Sequence, residues 1–168
     1  MNISHMQLLT DSLLHPKRLA AYRILSIGKV IQYAFLLILL LTCFSLGQFT
    51  TNGQANIFSY DEITDYAADL QFLVYPIAVV FLFIMNALIL FTKISIYAYA
   101  GYLLTKSMKR RGEYRQLWRT TTFAITWETI LTIAFTLFPL PNLFTTLMSI
   151  FITMLIVILA LTKYPIQK

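Results

Sequence analysis

The chain has 168 residues, of which 58% are hydrophobic, 15% aromatic and only 12% charged. Soluble domains carry about a quarter charged residues, so this composition nearly excludes a soluble globular protein. A single Cys excludes a disulfide framework or a Cys-rich metal site. The net charge of +6 indicates a nucleic-acid partner only if a membrane topology does not already explain the basic residues.

The N-terminal segment, residues 3–28, is predicted to lie on the cytoplasmic surface of a membrane. An amphipathic helix of this kind buries one apolar face at the level of the lipid headgroups. Apolar residues recur here at helical spacing, at Met6, Leu9, Leu13 and Leu14.

Four long apolar runs follow this segment. A bilayer core about 30 Å thick needs about 20 apolar residues in a helix. The second run contains a single charge, Lys93, and splitting the run there would leave too few residues for another span. One long helix is therefore predicted in its place. The four predicted spans cover residues 30–47, 71–105, 120–138 and 142–162.

The basic residues set the predicted orientation, because Lys and Arg favour short cytoplasmic loops. With one long second span, twelve of the thirteen basic residues lie on one side of the membrane. The external loop, 48–70, contains none of them, whereas the cytoplasmic loop, 106–119, contains six. The prediction is thus a single all-α membrane domain over 1–168, multi-pass in the cell membrane, with both termini cytoplasmic. This distribution accounts for the net charge, and no nucleic-acid partner is expected.

The cytoplasmic loop opens with a cluster of four basic residues. Each basic residue near an anionic lipid surface contributes about 1 kcal/mol to binding, so the cluster is a candidate lipid contact. The alternative is an ordinary topological stop signal. The four residues are Lys106, Lys109, Arg110 and Arg111.

Charged residues inside the predicted spans are the strongest functional indicators in this sequence. Lys93 and Glu128 lie roughly 20 and 14 Å from the cytoplasmic ends of their helices, close enough to pair if the long helix tilts. An unpaired charge at the bilayer centre costs at least about 2.5 to 3.5 kcal/mol, so we expect the two to pair or Glu128 to be protonated. Together with neighbours at helical spacing they form a predicted polar seam of Asn86, Lys93, Tyr97, Glu128 and Thr132.

This seam has three interpretations. It is a set of polar contacts that only holds the helices together, a docking face for another membrane protein, or a proton or ion path. Nothing in the sequence indicates a catalytic constellation: His5 and His15 lack a Cys or acid at triad-like spacing, and metal-binding and phosphate-binding motifs are absent from the sequence. We therefore expect no enzymatic activity, no cofactor and no metal.

Two stretches of sequence carry a family resemblance. The first is HPKRLAAYR at 15–23 with IGKVIQY at 27–33, and the second is KRR at 109–111 with YRQLWR at 114–119. Together they resemble an uncharacterised membrane family of low-GC Gram-positive bacteria that includes proteins labelled maltodextrin-utilisation membrane proteins. That family is similar in outline to the Yip-type clan. The resemblance implies no catalytic residues.

The functional prediction is a non-enzymatic accessory or regulatory subunit that associates with another membrane protein, such as a transporter. The alternative is a small oligomeric transporter or channel that uses Lys93 and Glu128. The expected partners are therefore the lipid bilayer and either a second membrane protein or further copies of this chain.

Overall fold

The computed structural model describes residues 5–53, 64–138 and 141–166 of the chain. Within these ranges every regular element is helical, and the one pairing of extended backbone is an isolated antiparallel bridge between Arg110 and Ile166. The predicted all-α class is confirmed. Much of the predicted external loop lies outside the described residues.

Proline sets the first helix boundary. The residue before a proline is disfavoured in the α region, so α1 ends at Leu14, just before His15 and Pro16. Pro16 then stands in the first turn of a 3₁₀ segment, where its missing N–H loses no hydrogen bond. The helices are α1 (His5–Leu14), the 3₁₀ segment (Pro16–Ile24), α2 (Ile27–Gln48) with a π-helical turn (Phe49–Gly53), α3 (Thr64–Ser107), α4 (Tyr114–Thr136) and α5 (Asn142–Leu161).

Three helices in the described part of the chain are long and apolar enough to cross a membrane. They are Ile27–Thr51, Leu73–Ser107 and Leu143–Leu161. The second belongs to α3, which runs as one helix through the whole apolar run and includes Pro76. The predicted third span corresponds to α4, which is not among the three.

Helix α4 falls short in hydropathy because it carries seven threonines, two tryptophans and Glu128. It is nevertheless the most enclosed helix that the structure describes. Seven consecutive residues, Thr120 to Thr126, are all buried. Consecutive residues of an α-helix point in all directions around its axis, so α4 is covered on every side over about two turns.

The five buried threonines of α4 are buried at little cost because most of them hydrogen-bond to their own helix. Thr122 donates to the Trp118 carbonyl at 2.8 Å, Thr126 to that of Phe123 at 2.7 Å, and Thr129 to that of Ile125 at 3.1 Å. A hydroxyl bonded in this way presents mainly its methyl group to neighbouring helices. The exception is Thr121, whose hydroxyl is buried without a partner among the described residues.

Residue contacts divide the chain into two units. The smaller unit is Ile38–Leu90, and the larger comprises the chain up to Leu37 and from Phe91 onward. In the larger unit α1, the 3₁₀ segment and α5 all pack against α4. In the smaller unit the Asn86 amide donates to the hydroxyls of Thr42 and Ser45, both at 3.3 Å.

Helix α1 buries a different face from the predicted apolar one. Leu8 and Ser12 are fully buried and Asp11 is 7% exposed, whereas Met6 and Leu14 are 77% and 67% exposed. The exposed apolar side chains remain free to contact lipid, so the interfacial placement of the segment stays a prediction. The buried face includes a carboxylate because Asp11 binds Arg18 and Tyr22 in the larger unit.

The basic segments of the larger unit meet at one end of it, which we call the basic end. The Arg110 guanidinium donates to the Tyr164 carbonyl at 2.6 Å, and the Arg111 N–H donates to the Pro165 carbonyl at 2.8 Å. The Arg23 guanidinium lies 5.1 Å above the Tyr164 ring. The 3₁₀ segment, the loop before α4 and the C-terminal residues are therefore tied together.

The bond between α2 and α4 gives a first prediction. The hydroxyls of Tyr33 and Thr126 lie 2.7 Å apart, and both residues are buried. A double-mutant cycle with Tyr33→Phe and Thr126→Val should show a coupling of about 0.6 kcal/mol, the average for interhelical bonds in membrane bundles. Unfolding free energies of the four proteins in detergent measure the coupling. Strict additivity of the two single changes would contradict the bond.

Tyr164 gives a second prediction, on pH dependence. Burial raises the pKa of its phenol above the ordinary value, against the opposing effects of the Thr120 hydrogen bond and the Arg23 charge. A raised folded-state pKa gives stability that is complete below the unfolded value and is lost as the pH rises through the folded one. The thermal midpoint should therefore fall as the pH rises above about 10, the ordinary tyrosine pKa, and less steeply in Tyr164→Phe. The exposed Tyr114→Phe is the control and should leave the slope unchanged.

Candidate functional site

The charged pair indicated by the sequence forms in the larger unit. The Lys93 Nζ lies 2.7 Å from the Glu128 Oε1. The pair is asymmetric, because the Lys93 side chain is 43% exposed and the Glu128 side chain only 5%. The acid is thus held inside the protein, and the base reaches it from the surface.

The helix faces explain this asymmetry. Ile94, Ala98, Gly101 and Thr105 form a buried stripe along α3. The contact is close at Gly101, where an added Cβ would lie 3.3 Å from Val157 Cγ1 on α5. Lys93 precedes the first residue of this stripe and so stands at its edge, whereas Glu128 lies on the buried surface of α4 beside Ile125 and Thr129.

The Glu128 carboxylate depends on few neighbours. Lys93 neutralises Oε1, and the largely buried Tyr97, one turn further along α3, interacts with the same carboxylate. Oε2 is buried and has no hydrogen-bond partner in the part of the chain that the structure describes. Removing one member of a buried pair leaves an uncompensated charge, which typically costs about 3–5 kcal/mol.

Two members of the predicted seam lie elsewhere. Asn86 belongs to the smaller unit, where its amide binds Thr42 and Ser45. Thr132 is exposed, and its carbonyl accepts a hydrogen bond from Thr136. Glu128 is buried and Thr132 is not, because the buried residues of α4 end at Thr129. The site that the structure assembles is therefore Lys93, Tyr97 and Glu128.

The predicted lipid-contact cluster divides in a similar way. Lys106, Lys109 and Arg111 have exposed side chains, although the Lys106 ammonium lies 4.7 Å from the centre of the Tyr102 ring. Arg110 is bound to the Tyr164 carbonyl and is half-buried. It therefore serves to fasten the C-terminal residues.

Sequence reasoning missed a second buried acid, Asp11. Its Oδ1 accepts a hydrogen bond from Arg18 at 3.2 Å, and its Oδ2 accepts one from the Tyr22 hydroxyl. These bonds hold α1 against the 3₁₀ segment. Burial raises the pKa of Tyr22 above its ordinary value, and the Asp11 bond adds to this shift whereas the Arg18 charge opposes it. A signal was present, since Asp11 is the one acid in the first sixty residues.

These features define the class of the protein: an all-helical chain, compatible with a multi-pass membrane protein, with an acid buried between helices and held by lysine. The model of a family described as protein of unknown function (DUF1189) matches residues 48–161, so the chain belongs to that family. The matched range includes both Lys93 and Glu128. No curated protein and no solved structure gives a significant match. The predicted resemblance is confirmed to this extent, as membership of a family of unknown function.

The ion pair yields a third prediction. Lys93→Gln should lower the unfolding free energy by about 3–5 kcal/mol, because the buried Glu128 then lacks its counter-charge. The double variant Lys93→Gln/Glu128→Gln should recover most of this loss, since no charge then remains. Thermal or denaturant unfolding in mild detergent measures both effects. A double variant no more stable than Lys93→Gln would show that the pair is not what holds Glu128 in place.

Proposed function

We propose that the protein is a non-enzymatic, multi-pass protein of the cell membrane that acts as an accessory or regulatory subunit of another membrane protein. The observation that carries this proposal is the half-exposed Lys93. Its partner Glu128 satisfies one side of the ammonium group and leaves the other open.

A cation left open among lipid tails is unfavourable, so the protein gains stability when a further polar group covers it. The surface of α3 around Lys93 carries exposed apolar side chains, with Ile96 60% exposed one turn further along and Leu103 50% exposed about three turns along. A helix of a second membrane protein that carries an acid or amide at the matching depth fits this surface. The buried pair thus supplies the specificity of the contact and the apolar neighbours supply its area.

The proposed topology has four spans, with both termini in the cytoplasm. The basic end supports it, because the three segments that charge bias assigns to the cytoplasm are bonded to one another there. The enclosure of α4 supports its role as the third of the four spans, since a helix covered by other helices needs less hydropathy than one that faces lipid. On this topology the N-terminal segment lies at the inner surface, with Met6 and Leu14 toward the lipid.

The family resemblance carried by residues 15–33 and 109–119 also bears on which class of membrane protein the partner belongs to. Similarity to Gram-positive proteins labelled for maltodextrin utilisation, and in outline to the Yip-type clan, favours an uptake or export transporter. No enzymatic step is part of the proposal.

One observation favours the alternative, a small oligomeric transporter or channel. The Glu128 Oε2 is buried without a partner among the described residues, and carboxylates in membrane interiors often take up and release protons. On this alternative, further copies of the chain cover Lys93 and line a path with it.

A site-specific cross-linking experiment in cells tests the proposal and is our fourth prediction. A photoreactive amino acid at Ile96 should join the chain to one discrete membrane protein, whereas the same group at the equally exposed Phe151 on α5 should not. The neutral double variant Lys93→Gln/Glu128→Gln should fold and lose this product. We expect the cross-linked product to be lost because the polar group of the partner then has no cation to bind.

Two outcomes would overturn the proposal. Adducts that are indistinguishable between Ile96 and Phe151 would show that α3 faces lipid. Products that contain this chain alone, from a purified oligomer that conducts ions in vesicles, would establish the alternative. Conduction that survives Glu128→Gln would in turn exclude a role for the carboxylate in that path.

A further inference from the structure

A groove at the basic end is lined by residues other than those of the Lys93, Tyr97 and Glu128 site. It has a volume of about 300 Å³ and is lined by Ile27, Tyr114, Arg115, Trp118 and Arg119. All five residues belong to the larger unit. This volume is at the lower end of the range of roughly 300–1,000 Å³ for small-ligand sites, so it admits a headgroup and not a whole lipid.

The charge of the groove is positive and uncompensated. Arg115 and Arg119 stand one turn apart on α4, and neither has a described acid within 4 Å. The Arg119 Nη1 donates to the Arg23 carbonyl at 3.0 Å, and its Nε is buried without an acceptor in the described ranges. The Arg119 guanidinium is therefore held in place while its charge remains available to an anion.

The aromatic walls of the groove are also fixed. The Trp118 ring stacks on Phe91 of α3, with the centroids 6.3 Å apart and the planes inclined by 7°. Tyr114 begins α4, where the helix dipole adds to the attraction for an anion. Ile27 is the first residue of a helix suited to crossing a membrane, so on the proposed topology the groove lies at the level where headgroups meet acyl chains.

We propose that this groove binds the phosphate of an anionic glycerophospholipid, with Arg115 and Arg119 as its ligands and Trp118 against the upper part of an acyl chain. Two planar guanidinium groups match a phosphodiester, because each presents paired N–H donors to its oxygens. Tyrosine and tryptophan are the side chains that membrane interfaces favour. A lipid, unlike free phosphate, also uses the apolar wall at Ile27. The proposal does not depend on the identity of any protein partner.

Trp118 provides a direct readout and our fifth prediction. In a Trp127→Phe background, Trp118 is the remaining tryptophan, so its fluorescence reports on the groove. Brominated phosphatidylglycerol, titrated into phosphatidylcholine vesicles that contain the protein, should quench it more strongly than brominated phosphatidylcholine at the same mole fraction. Arg115→Gln should weaken the apparent affinity about tenfold, as expected for the loss of one charge-assisted phosphate contact.

The control is Arg111→Gln, which removes the same charge from the basic end but outside the groove. It should change the affinity by less than about twofold, because an exposed arginine at this distance acts only through screened electrostatics. Arg119→Lys keeps the charge but loses the planar guanidinium group, so it should weaken lipid binding. Its thermal midpoint should stay closer to that of the parent protein than the midpoint of a variant with a neutral residue at this position.

Three results would overturn the proposal. Equal losses in Arg115→Gln and Arg111→Gln would show diffuse attraction to the membrane surface rather than a site. Equal quenching by the two brominated lipids would show that the headgroup charge is not recognised. Relief of quenching by millimolar inorganic phosphate would show that the ligand is free phosphate and not a lipid.

Discussion

The structure depends on the enclosure of α4, a helix whose sequence is too polar for the place it occupies. A helix covered on every side has no contact with water, so each polar group on it needs a partner within the protein. Threonine meets this requirement at no cost in space, because its hydroxyl bonds to the preceding turn of the same helix. Helix α5, α1 and the 3₁₀ segment can then pack against α4 as they would against an apolar surface.

The remaining polar contacts of the larger unit occur at two levels along α4. At its N-terminal end, arginines bind backbone carbonyls and tie together three segments that are distant in sequence. Further along, Glu128 is neutralised from the edge of α3 by Lys93. The first level uses partly buried arginines to join these segments. The second places one charge pair among largely apolar neighbours, and under the proposed function it is the level at which recognition by another membrane protein is most sensitive to a single substitution.

The sequence predicts the helices well, because length and hydropathy alone define an apolar helix. It also singles out Lys93 and Glu128, since charges are rare in apolar runs. It also groups Thr132 with them, and Thr132 is exposed in the structure, because helical spacing identifies a shared face but not where the covering helices stop. It misses Asp11, whose burial depends on Arg18 and Tyr22 in a 3₁₀ segment that periodicity does not reveal. The contribution of Arg119 likewise follows only from its contact with the Arg23 backbone.

The order of the helices along the chain has a consequence for how the protein is made. Under the proposed four-span topology, α4 enters the membrane carrying a charge that costs about 2.5 to 3.5 kcal/mol at the bilayer centre. Helix α3 is synthesised earlier, so Lys93 is already present when Glu128 leaves the ribosome. Helix α5 comes last and completes the cover. Translation thus produces the counter-charge Lys93 first, the charged helix α4 second and the covering helix α5 third. A chain truncated before α5 would leave α4 in the bilayer with one side uncovered.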